Sequence, residues 1–161
     1  MMGAYPVQPI EASAGPLPKA GPFLRVFAGA EKPSTPMLHT AVESLATWRQ
    51  HYKVRQPGTS GIDRDIQDCL NLAAWMLDKR AKVMVAGGPP PAPDAPFYPH
   101  TYGELVGRLA DHYVLVELHQ DRGPEAIAHY ARQLERSSRT LDNVVAEVAA
   151  GRLRLRLLPV Q

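Results

Sequence analysis

The chain has 161 residues, a net charge of +2, 16 prolines and one cysteine. That length fits one domain able to bury about 70% of its unfolded surface, and a lone Cys69 excludes an internal disulfide and a multi-cysteine metal site. So small a net charge does not mark a nucleic-acid binder, no apolar run approaches the ~20 residues of a membrane span, and Met1 to Ser13 lacks the order of a secretory signal. A cytoplasmic protein is expected, and the excess of arginine over lysine, which GC-rich codons produce, points to a bacterial source.

Prolines cluster before residue 37 and again between Pro89 and Pro99. Residues 1–36 therefore read as a proline-rich extended arm, because proline fixes φ, removes a donor and disfavours a regular helix. Within it Phe23, Leu24, Arg25, Val26 and Phe27 form an apolar cluster, read as a short strand or an anchor laid on a folded core. Residues 37–161 read as a helical bundle domain.

From Met37 to Val54, Leu38, Ala41, Val42, Leu45, Trp48 and Tyr52 follow the spacing of one helix face, with Pro36 at the first helical position and Ser34 or Thr35 as N-cap. Pro57 and Gly58 end this helix. Ile62, Ile66, Cys69, Leu70, Ala73, Leu77 and Met84 predict a second helix from Gly61 to Val85. Residues 87–99 then have polyproline composition and read as an internal linker.

A third helix is expected from an N-cap at Thr101 to Asp121, with Tyr102, Leu105, Val106, Leu109, Tyr113 and Val116 facing inward. The fourth starts at Pro124 and carries Ile127, Leu134, Leu141 and Val148 at a seven-residue spacing, with Gly151 just past its end. Beyond it Leu153, Leu155 and Leu157 alternate with Arg152, Arg154 and Arg156 as in a half-buried strand. The Phe23 to Phe27 cluster is its expected partner. The fold expectation is thus all-α: an antiparallel four-helix bundle of two helical hairpins joined by the proline-rich linker, with an extended N-terminal arm and a short C-terminal strand.

The middle of the second helix (Cys69 to Leu77) and of the third (Tyr113 to Val116) is apolar nearly all round, so the arm or a second subunit must cover them. Cys69 reads as a small buried hydrophobe. Gly103 and Gly107 form a small-residue pair suited to a tight helix crossing, with Gly107 the one that a frayed first turn would not explain.

No phosphate loop, nucleophile elbow or zinc-protease motif is present, and no cofactor or catalysis is expected. His112, His119, Glu125 and His129, with Asp111 or Glu117, permit a two-helix metal site to be drawn, giving a metal-binding bundle enzyme as a third reading, but no Glu-x-x-His spacing supports it. The runner-up is a DNA-binding regulator with a helix-turn-helix over residues 124–150, in which Ser138 caps a recognition helix carrying Arg139, Thr140 and Asn143. The basic tail of Arg152, Arg154 and Arg156 would add anionic-partner contacts. The first reading is a non-catalytic interaction or structural protein that works with a protein partner or as a homo-oligomer.

Overall fold

The computed structural model describes residues 16–55 and 61–156. Its elements in chain order are α1 (Ala20–Phe27), α2 (Pro36–Val54), α3 (Arg64–Ala86), β1 (Phe97–Thr101), α4 (Tyr102–Leu118), α5 (Pro124–Ala149) and β2 (Arg154–Arg156). The fold is all-α, with five helices and a small two-stranded parallel sheet; the four-helix bundle expected from the sequence is corrected by both α1 and the sheet.

The extra helix lies in the arm. Pro22 stands third in α1, within the first turn, where backbone N–H groups have no intrahelical acceptor, so its missing donor costs nothing there. Lys19 at the N-cap supplies no side-chain hydrogen bond. Instead Asp142, reaching across from α5, accepts from the Ala20 N–H at 2.8 Å, placing a carboxylate on the positive end of the helix. Phe23 is fully buried and packs with tilted rings against Phe27 and Tyr102, while Phe27 meets Tyr113. The Tyr102 hydroxyl donates to the Pro18 carbonyl at 2.7 Å, so even the approach to α1 is pinned to α4.

The other four helices form where apolar spacing and capping residues place them. Thr35 caps α2 by accepting from Leu38, with Pro36 at the first position. Asp63 caps α3, whose Ile66, Leu70, Ala73, Leu77 and Ala81 face inward. Thr101 and Glu104 make a capping box on α4. The α5 helix runs unbroken to a Gly151 at φ +75°, a conformation glycine adopts without strain. α2 packs on α3 and α4, α4 lies between α3 and α5, and α1 bridges α2, α4 and α5. Its core joins Phe23, Leu45, Leu77, Leu109, Val114 and Leu141.

The C-terminal strand forms, but its partner is β1, in parallel register with Phe97 opposite Arg154 and Thr101 opposite Arg156. Pairing with Phe23 to Phe27 does not occur because that segment is helical. The last three residues assigned to the linker, Phe97 to Pro99, belong to the sheet; Pro99 is tolerated in a strand with one neighbour. The linker is also tied down, since Ala92 N–H donates to the Gly151 carbonyl and Arg154 N–H to that of Pro96, each at 2.8 Å. Pro57, Gly58 and Leu157 lie outside the described residues, as does the start of the arm. Among the described residues no helix is long and apolar enough to cross a membrane.

Candidate functional site

Large apolar side chains left in solvent are Val54, Leu72, Met76, Val83, Phe97 and Leu118 among the described residues, and three of them share one helix face. Leu72, Met76 and Val83 on α3 are 56%, 39% and 45% exposed. At 3.6 residues per turn they fall on one line with Asp65, Cys69 and Lys79, on the side opposite Leu70, Leu77 and Ala81. Cys69 is exposed, which corrects its expected burial: it stands about 100° round the helix from Leu70, outside the buried stripe. Trp75, half-buried at the edge of this face, carries the Lys79 ammonium 4.4 Å from its ring centroid.

Charge is graded along the same helix. Asp63, Asp65 and Asp68, with Arg64 among them, occupy its N-terminal end, and Lys79, Arg80 and Lys82 its C-terminal half. The two apolar middles noted in the sequence thus have different fates, since α1 covers α4 through Phe27 and Tyr113 while the outer face of α3 has no cover within the described chain.

The glycine pair also divides. A Cβ on Gly103 would overlap the backbone of Ala74, so the tight crossing of α4 on α3 is made there. Gly107 has nothing near its Cβ position and borders a cleft of about 310 Å³ between α2, α3 and α4. This reverses the expected roles: the first turn of α4 is held against α3 rather than frayed.

The histidines of the third reading meet local partners. His112 Nδ1 contacts the Ser137 hydroxyl, the His119 Nδ1–H donates to the Leu115 carbonyl at 2.7 Å while the ring stacks on Tyr130, and His129 meets Tyr130 edge-on. Among the described residues no group of three His, Cys, Asp or Glu side chains is placed to hold a metal ion. Asp111 does not orient His112 as a triad acid would, because it accepts from the Tyr52 hydroxyl at 2.5 Å. Burial raises the Asp111 pKa against that hydrogen bond, and burial lowers that of His112, keeping the imidazole neutral at pH 7.

The residues proposed for anionic contact are scattered and mostly engaged. Arg139 pairs with Glu135 at 2.6 Å and Arg152 with Glu147 at 2.8 Å. Arg154 donates to the Ala92 and Pro93 carbonyls and lies over the Phe97 ring, whereas Arg156 and Asn143 are exposed. No turn interrupts α5 near Ser138, whose hydroxyl instead donates to the Leu134 carbonyl one turn back. The continuous helix expected from Pro124 is thus formed, and the helix-turn-helix of the runner-up reading over 124–150 is not.

These features define a class: a small all-α domain in which the outer face of α3 is uncovered among the described residues. Compared with known proteins, the chain matches no protein family, no curated protein and no solved structure. The sequence marks the middle of α3 as needing cover, but apolarity nearly all round does not single out the line of Leu72, Met76 and Val83. Their shared angle with Asp65 and Lys79 was the available signal.

Proposed function

We propose that this protein is a non-catalytic helical interaction module that works by pairing with a second copy of itself through α3. The observation that carries this reading is the exposed line of Leu72, Met76 and Val83, flanked by acids at one end and bases at the other. An apolar stripe on an otherwise charged helix favours association, and a two-fold axis makes one patch serve both sides. Antiparallel pairing about an axis beside Leu72 and Met76 sets Asp65 and Asp68 of one copy against Lys79 and Lys82 of the other. Parallel pairing would oppose like charges and is disfavoured.

Sedimentation velocity over a concentration series tests the pairing. Wild type is expected to dimerise, and Leu72→Glu with Met76→Glu to remain monomeric with unchanged helicity, because both positions are exposed. A wild type that stays monomeric at ~100 μM, a concentration at which even a micromolar interaction is saturated, overturns the reading.

A further inference from the structure

A second surface feature lies between α4 and α5, and no residue of α3 lines it. It is a cavity of about 240 Å³ with buried Leu105 at its floor and Arg108, His112, Gln133, Arg136, Ser137 and Thr140 around it. Every polar lining group carries a hydrogen-bond donor and none is a carboxylate. The arginines Arg108 and Arg136 stand on facing helices, both exposed, and neither forms an ion pair among the described residues. By contrast Arg49, Arg139 and Arg152 all close on a glutamate.

The geometry points to a binding site for a single phosphoryl group on a small molecule, held between Arg108 and Arg136 with His112 and Thr140 completing the shell. Two guanidiniums give planar, paired donors that match phosphoryl oxygens, and a carboxylate would leave several of the assembled donors unused. The His112 ring lines the same cavity beside the Ser137 hydroxyl, where a protonated imidazole would add a charged donor for an anion. The cavity has room for one such group with a small substituent, not for the extended track that a nucleic-acid backbone requires. Burial, and after it Arg108, disfavours protonation of His112 against the opposing pull of the Asp111 carboxylate, and a bound anion would offset that cost.

NMR titration of the full chain tests the site, with inorganic phosphate, phenyl phosphate, acetate and a short oligothymidine as probes. Phosphate and phenyl phosphate are expected to shift the His112 ring, Ser137 and Thr140 signals and to raise the His112 pKa, with acetate at least about tenfold weaker. Arg108→Gln and Arg136→Gln should each weaken phosphate about tenfold while leaving the melting temperature in phosphate-free buffer unchanged. The proposal falls if 10 mM phosphate moves none of these signals, or if the glutamine variants respond as wild type does. It falls equally if the oligothymidine binds more tightly than phenyl phosphate, since that would mark a nucleic-acid surface.

Discussion

Asp78 stands where α3 passes the first turn of α4, and its Oδ1 accepts the Gly103 N–H at 2.6 Å. It thereby satisfies one of the orphan donors that the capping box of Thr101 and Glu104 leaves over. The side chain is buried and its Oδ2 has no hydrogen-bond partner. Burial pushes its pKa up to about 6, opposed by the Gly103 N–H and the Thr101 hydroxyl and reinforced by Glu104. A carboxyl that holds its proton more tightly when folded makes its largest contribution to stability below about pH 4, and that contribution is lost as pH rises through 6. Denaturant unfolding of wild type should lose on the order of 2–3 kcal/mol across that window from this residue. Asp78→Asn, which keeps the acceptor, should flatten the loss; an unchanged pH profile would remove Asp78 from the account.

Gly103 beside it is required for space. Any Cβ there would collide with the main chain at Ala74, which cannot turn aside as a side chain can. Gly103→Ala is expected to destabilise by about 2–3 kcal/mol through overpacking, despite alanine's better helix propensity. Gly107→Ala, with open space at its Cβ, should gain up to about 1 kcal/mol on propensity. Equal thermal shifts for the two variants would contradict the crossing.

Among the elements, α1 is the one whose existence depends on tertiary structure. Eight residues are too few for a helix to persist alone in water, and this one lacks a cap of its own. Its register is set by Phe23 and Phe27 against Tyr102 and Tyr113, and its N-terminus by Asp142. Phe23→Ala should cost about 3–5 kcal/mol and expose Lys19 and Arg25 to trypsin. If cleavage and the unfolding midpoint both match wild type, the docking of α1 does not contribute to the fold. The longer helices could be read in advance because each carries local signals: Thr35 with Pro36, Thr101 with Glu104, Pro124 and Gly151. No local signal marks α1, since proline content argued against a helix and only its position in the first turn makes Pro22 harmless. The sheet was half legible for a similar reason: alternation revealed β2, while its partner was hidden in a run of prolines.

At the scale of the molecule, surfaces depend on how helices are rotated against each other, and that information is distributed over the whole core. The burial of α3 on one side and its exposure at Leu72, Met76 and Val83 follow from α2 and α4 both choosing the stripe of Leu70, Leu77 and Ala81. That Arg108 and Arg136 line one cavity is set by the packing of α4 on α5, so no spacing within either helix could disclose it. The arginine tail was conspicuous in the sequence because its members are neighbours along the chain, yet folding sends Arg152 to Glu147 and Arg154 to the linker.

The parallel pairing of β1 with β2 also bears on the order in which the molecule assembles. All of α4 and α5 lies between the two strands, so their contact cannot form until that helical hairpin has brought its ends together. Local helices close within microseconds, whereas this pairing waits on long-range loop closure. The last hydrogen bonds to appear should therefore be those from Arg154 to Pro96 and from Ala92 to Gly151, and the same amides should be among the first to exchange with deuterium. A three-residue strand beyond α5 in this way becomes the clock hand that reads when the helical hairpin has closed.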